Sequence, residues 1–388
     1  MNNLCTDVGY LSINKYGEQL CGDHVEIVEQ DENSLVMVLA DGLGSGVKAN
    51  ILSTLTSKIL CTMVANEIEL DECVETILQS LPICKVRKIA YSTFSVIHVN
   101  SEGQGYLFEF DNPQAIYYHN GKCQDFEREK LKIIDKTVYK TNLNLSKNDV
   151  IIIMSDGVIH AGIGYTLNLG WQREDVMKYL DKVVDESMSA RCIACLLAGA
   201  CNDLYIDKPS DDTTVAAVKV REELKVNILV GPPVEKEKDN FYIKQFLDND
   251  GKKVVCGGTS SQIVAKYLDT EVKTSFDFLD KDLPPIGFID GIDLTTEGVL
   301  TLRKLLLLSE KYLSTSDLSP KYYTNKDGAS LLAKVLFEES TFVRFFVGQS
   351  INAAHQGLPI DITMKLKLVE ALSNNLKTMG KSVEVNYD

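Results

Sequence analysis

The sequence predicts an α+β chain in two parts, and three observations predict it. In the first half, strand-like runs, two helical patterns, more strands, two further helical patterns and a last strand follow in that order. Such an order fits sheet layers with helix pairs on the outside. Past Arg221-Glu222-Glu223-Leu224 the pattern changes to strand–helix alternation, which suggests a smaller α/β domain of three layers. At 388 residues the chain is also too long for one ordinary core. We expect a first domain over residues 1–222 and a second over 225–388.

Composition narrows the function classes. Hydrophobic residues at 45% and charged residues at 24% are typical of a globular protein. A formal net charge of −15 argues against nucleic acid or an anionic membrane as partner, since both need a basic surface. It suits a protein that collects cations. Met1-Asn2-Asn3-Leu4-Cys5 lacks a basic region followed by an apolar one, and no apolar run reaches ~18 residues. The expectation is a cytoplasmic protein with reduced thiols. Cys192, Cys195 and Cys201 lie in an alanine-rich helical pattern without a second ligand pair, so they read as buried helix rather than zinc site.

Taken in order, residues 4–13 alternate loosely as a weak first strand. Val25 to Gln30 and Leu35 to Ala40 flank the turn-rich Asp31-Glu32-Asn33 and predict a hairpin. That hairpin can bring Asp23, just before its first strand, near Asp41, just after its second. Gly44, Ser45 and Gly46 supply a turn and an N-cap. Ile51, Leu55, Ile59 and Met63 then recur every four residues, predicting a helix that buries that face. Asp71 to Leu81 is a second helical segment. Ala90 to Val99 and Gly105 to Phe110 pair as strands, and Gln114 to Tyr118 with Lys122 onward are expected to extend the same sheet around Asn120-Gly121. The buried run Val150 to Met154 follows. Trp171 to Val184 and Ser187 to Leu204 read as helices, and Thr213 to Val220 is the closing strand.

The chemistry sits at strand ends. Leu35 to Ala40 ends in Asp41-Gly42, and Val150 to Met154 runs into Ser155-Asp156-Gly157. An acid at the end of a buried strand is costly unless something pairs with it. Asp23 and the Asp211-Asp212 pair occupy comparable places. Carboxylates gathered together repel unless cations join them. Magnesium and manganese take oxygen ligands, and two such ions ~3.5–4 Å apart can ready a water against a phosphoryl group. Singly, each Asp-Gly is an ordinary turn pair. Together they point to a shared dimetal site.

Cys21-Gly22-Asp23, Ala40-Asp41-Gly42-Leu43-Gly44-Ser45-Gly46, Met154-Ser155-Asp156-Gly157 and Ser210-Asp211-Asp212-Thr213-Thr214-Val215 resemble, in order and spacing, the metal-dependent serine/threonine phosphatases. Within them the chain is most similar to the branch of sporulation stage II protein E, over roughly residues 1–221. The resemblance implies an α-β-β-α sandwich with a two-manganese (or magnesium) centre. By matching motifs it implies that Asp41 bridges both ions and Gly42 contributes its carbonyl. Asp23 would serve one ion, and Asp156 with Asp211 the other, with Asp41 and Asp156 central to catalysis. Asp212 would be an outer or surface residue. The implied reaction is hydrolysis of phosphoserine or phosphothreonine by metal-activated water, without a phosphoenzyme. It further implies a phosphorylated protein substrate of the anti-anti-sigma type, and a helix pair at Val47–Leu81 that switches with dimerisation or with a regulatory domain. Leu43 stands where the eukaryotic branch has a histidine, and no arginine matches its phosphate grip. Lys15 reads as a solvated loop lysine, and His24, beside Asp23, reads either as a proton donor or as a partly exposed neutral histidine.

In the second half, Gly257-Gly258-Thr259-Ser260 between a strand and a helix could hold an anion, although it lacks full P-loop or dinucleotide spacing. The turns Gly257–Ser261, Asp290–Thr296 and His355-Gln356 are expected to line one pocket at the sheet's carboxyl edge. The second domain is therefore expected to sense a small-molecule effector or dock a partner. Two further readings remain open: a pseudo-phosphatase that binds a phosphoprotein without hydrolysing it, and a bifunctional enzyme with a second active site around Asp290 or His355.

Overall fold

The computed structural model describes residues 4–30, 34–80, 92–134, 136–274, 286–314, 325–350 and 360–387. The chain divides into two units, Met1–Glu222 and Glu223–Asp388. Among the described residues no helix is long and apolar enough to cross a membrane.

The first unit is built on two antiparallel sheets. One takes β2 (Asp23–Gln30), β3 (Ser34–Gly42), β4 (Ser92–Val99), β5 (Gln104–Phe110), β8 (Glu129–Ile133) and β9 (Lys136–Asn144), in the order β2-β3-β4-β5-β9-β8. The other takes β1 (Leu4–Ile13), β6 (Ile116–His119), β7 (Lys122–Gln124), β10 (Val150–Met154) and β11 (Thr213–Glu222), in the order β1-β11-β10-β6-β7. Period-two alternation decides what each strand buries. Leu35, Met37 and Leu39 of β3 face Ile151, Ile153, Ala216 and Val218 of the second sheet, forming the core between the sheets. Val36, Val38 and Ala40 face the other way, onto α1 (Gly46–Ala65) and α2 (Leu70–Ser80). Beyond the second sheet lie α3 (Asp156–Ile159), α4 (Arg173–Val183) and α5 (Ala190–Leu204). Helices, sheet, sheet, helices: the sandwich is α-β-β-α.

Three expectations are corrected. The tight Asn120-Gly121 turn, with φ of 50° and 77°, does join β6 to β7. That hairpin pairs with β10 in the second sheet and does not extend the strands before it. The first strand spans Leu4–Ile13 as expected and is paired along its whole length with β11, from Leu4↔Glu222 to Ile13↔Thr213. On α1 the buried face is the small-residue one: Ala49, Ser53, Thr56, Ser57, Leu60, Cys61 and Val64. Ile51 and Leu55, expected inside, are 52% and 48% exposed. Small residues let the first turns of the helix come close to β2 and β3 with Ile51 and Leu55 turned outward, while Ile59 and Met63 pack against the core further along. Ser45 occupies the N-cap position without capping; its hydroxyl donates to Glu18 Oε1 at 3.1 Å. Cys192, Cys195 and Cys201 are buried in α5, whose first turn is capped by Ser189 accepting from the Cys192 amide.

The second unit is a largely parallel sheet between two helical layers. Its strands are β12 (Lys225–Val230), β13 (Lys252–Cys256), β14 (Lys273–Thr274), β15 (Gly287–Phe288), β16 (Leu294–Thr296), β17 (Phe342–Val347) and β18 (Ser382–Tyr387). They lie in the order β14-β15-β16-β13-β12-β17-β18. The chain starts at β12, winds outward through β13 to β16, then returns to β17 and β18 on the far side. Val226, Ile228 and Val230 pack with α8 (Val299–Leu313), α9 (Gly328–Ala333) and α10 (Ile360–Thr378). Leu229, Val255 and Phe346 pack with α6 (Asp239–Asp248) and α7 (Gly258–Tyr267). Both faces are covered, as parallel strands require.

Candidate metal centre

The β2–β3 hairpin sets Asp23 directly opposite Asp41. Both fall on the side of their strands that faces the second sheet, at the rim of the inter-sheet core. From that second sheet, β10 ends at Met154 and delivers Asp156 to the start of α3, while Asp211 and Asp212 lead into β11. The Ser155 hydroxyl accepts from the Thr214 amide at 2.9 Å, and the Ser155 amide donates to Thr214 O at 3.0 Å. These bonds fix the two acid-bearing segments side by side. The glycine after each key aspartate has a packing reason. A Cβ on Gly42 would lie 2.1 Å from Ala49 O, and one on Gly157 2.1 Å from Asp212 O. No side chain fits there without moving backbone.

The acids affect one another. Asp23 is 3% exposed, and neither of its oxygens makes a hydrogen bond of acceptable geometry. Burial pushes its carboxyl up to about 7, eased by the neighbouring Ser155 and Thr214 hydroxyls and aggravated by Asp212 and Asp156. Asp41 is pushed up to about 9, first by burial and then by the charges of Asp23, Asp156 and Asp211. Asp156 is raised by burial and by Asp211, with His160 opposing. Asp156, His160 and Asp211 each offer a ligand atom within 4.8 Å of the others. His160 Nδ1 stands 3.8 Å from Asp156 Oδ2. Sequence reading passed over His160; the Asp-Gly-x-x-His spacing, one helical turn, is the signal that could have found it.

The Asp211-Asp212 pair divides its work. Asp212 is 4% exposed, and its Oδ1 accepts from the Lys15 amide at 3.0 Å. It ties down the loop before Asp23 and is not a surface residue; burial raises its carboxyl too. Asp211 is the more open of the two, with Lys15 Nζ 4.0 Å from its Oδ1. His24 lies away from the cluster. It alternates to the α1 side of β2, where its Nδ1 pairs with Ser57 Oγ at 2.9 Å.

In the second unit Asp290 lies in an exposed turn, its side chain 84% accessible and 3.9 Å from Lys273 Nζ. The Gly257–Ser260 turn does line a cavity, but Glu297 and Gly298 take the place expected of Asp290–Thr296. His355 and Gln356 lie outside the described residues.

Residues 31–221 match the family model of Stage II sporulation protein E (SpoIIE). Residues 31–221 form a SpoIIE domain. Among solved structures, the SpoIIE phosphatase domain from Bacillus subtilis is 18% identical, with a TM-score of 0.45 over 57% of this chain and 95% of that one. The Bacillus subtilis PP2C domain with a fragment of the SpoIIE regulatory domain is 20% identical, with a TM-score of 0.49 over 57% and 64%. The catalytic domain of the phosphatase PstP, in complex with two manganese ions, is 14% identical, with a TM-score of 0.38 over 56% and 100%. No curated protein matches the chain.

The first unit's acids fit divalent cations. Several carboxylates are held together against burial and mutual repulsion, and neither buried oxygen of Asp23 makes a hydrogen bond of full geometry. Hard, oxygen-rich donor sets of this kind suit magnesium or manganese.

Proposed function

We propose that the chain hydrolyses phosphoserine or phosphothreonine on a partner protein, using two manganese or magnesium ions held by Asp23, Asp41, Asp156 and Asp211 with the Gly42 carbonyl. When bound, such ions lower the pKa of water and neutralise the oxygens of a phosphate ester. The residues' part is placement. Asp41, opposite Asp23 and electrostatically coupled to Asp156 and Asp211, is suited to span both ions. Asp212 and the Ser155–Thr214 bonds hold the ligand-bearing segments in position. His160 adds an imidazole on the Asp156–Asp211 side. The observation that carries this reading is Asp23: its carboxylate is buried among other acids, and the nearby Ser155 and Thr214 hydroxyls do not offset that burial, so a cation beside it would stabilise the anion.

The substrate is proposed to be a phosphorylated regulatory protein, with the anti-anti-sigma type as the first to test. Residues 225–388 are proposed to set activity in response to a small-molecule effector. A homodimer through α1 is supported by the exposure of Val47, Ile51 and Leu55 on one helical face.

Turnover of p-nitrophenyl phosphate and of a phosphoserine peptide should require manganese or magnesium and stop with EDTA. Asp41→Asn and Asp156→Asn should each lower kcat/KM by at least about 100-fold, since even outer-shell changes cost 10–100-fold. Phosphopeptide binding without turnover at any metal concentration would make the chain a pseudo-phosphatase instead.

A further inference from the structure

The second unit contains a cavity of about 330 Å³ at the carboxyl ends of its parallel strands. Its walls include the turns after β12, β13 and β16, with Lys365 of α10. Strand order reverses between β12 and β17, and open α/β sheets take ligands in the crevice at such a point. The volume falls at the lower end of the small-molecule range.

The chemistry of the walls selects the ligand. α7 opens into this cavity from Gly257, whose φ is +121°, and no side chain caps the helix. The amides of Gly258, Thr259 and Ser260 therefore begin a first turn with no carbonyl of the helix to receive them. Free amides and the helix dipole favour an anion there. A second observation points the same way. Ser260 is 2% exposed and lines the cavity, yet its hydroxyl has no hydrogen-bond partner. Lys365 is 8% exposed on the same wall, with its ammonium group donating to Gly348 O. Two carboxylates, Asp239 and Glu297, also line the space, and Asp239 Oδ1 is buried without a donor. Acids do not receive phosphate; they accept from hydroxyl groups. The anion side and the hydroxyl side are thus both furnished.

We propose that this cavity binds a hydroxylated phosphate monoester, of sugar-phosphate or nucleoside-monophosphate size, with its phosphate on the α7 N-terminus and Ser260. The site gives the effector a place and a chemical class. It stands on the second unit alone and holds whether or not the first unit hydrolyses phosphate esters.

The test is calorimetric titration of the full chain, stripped of divalent metal with EDTA so that the acids of the first unit do not draw phosphate through an ion. The probes are inorganic phosphate, nucleoside monophosphates, sugar phosphates and the matching unphosphorylated nucleosides and sugars. At least one phosphorylated probe should bind about tenfold or more tighter than its unphosphorylated counterpart and than inorganic phosphate. A Cβ on Gly258 meets no atom within 4 Å, so Gly258→Glu should fold and, by placing a carboxylate at the anion site, abolish that binding. Ser260→Ala should weaken it about tenfold, and decides the matter if Gly258→Glu does not fold. Three results would overturn the proposal: no phosphorylated probe binding at millimolar concentration, inorganic phosphate binding as tightly as every organic probe, or binding undiminished in the variants. Metal-dependent p-nitrophenyl phosphate turnover, measured separately on the same preparation, reports on the first unit and keeps the two questions apart.

Discussion

At the scale of single residues, the Asp-Gly pairs combine a charge with a close approach. Asp41 and Asp156 bring carboxylates to the rim of the core; Gly42 and Gly157 let neighbouring backbone touch where any side chain would collide. Gly157→Ala is therefore expected to displace the Asp211–Thr213 segment and cost about 1–3 kcal/mol of stability, as overpacking does. Thermal denaturation checks the stability loss, and a weakened manganese affinity in the same variant checks the displacement. His160 shows the limit of reading one residue at a time. Its spacing from Asp156 places the two on one helical face, but only the arrival of Asp211 from the segment before β11 makes a three-residue cluster of them.

At the scale of elements, α1 teaches the most. A repeat of large aliphatic residues every four positions identifies a helix, but it does not say which side meets the sheet. The outcome was decided by how closely the helix approaches: Ala49, Ser53 and Ser57 fit against β2 and β3 where larger residues would hold it away. Leu60→Ala, at a position of 0% exposure, should cost about 2–5 kcal/mol. Ile51→Glu, on the open face, should change monomer stability by no more than about 0.5 kcal/mol. If α1 forms the proposed dimer contact, the same variant sediments as a monomer at concentrations where the unaltered chain pairs; an unchanged sedimentation coefficient would remove α1 from the interface. The β6–β7 hairpin makes a parallel point. Asn120-Gly121 was legible as a turn, because left-handed backbone at both positions is a local property. The sheet that the hairpin joins was not, since edge pairing is settled by distant strands.

At the scale of the whole molecule, the acid cluster links folding to pH and metal. Raised carboxyls bind protons in the folded state that the unfolded chain releases near pH 3.8. Their contribution to stability is complete below that value and is lost as pH rises through about 7 for Asp23 and about 9 for Asp41. Metal-free protein should therefore melt at a lower temperature at pH 8 than at pH 5, and saturating manganese should remove most of the difference. A melting temperature that is independent of pH with EDTA present would show that the acids do not share a buried space.

The sequence by itself determined the strand periodicities, the β2–β3 hairpin, the parallel alternation of the second unit and the motifs by which residues 31–221 are recognised. These are repeats and turns, which neighbouring residues enforce through backbone geometry. Tertiary structure alone decided which face of α1 is buried, that Asp212 is a buried tie, that His160 joins Asp156 and Asp211, and that the Gly257 turn opens into a cavity with Glu297 and Lys365. Burial and electrostatic coupling depend on what packs alongside, and that neighbour comes from a distant part of the chain.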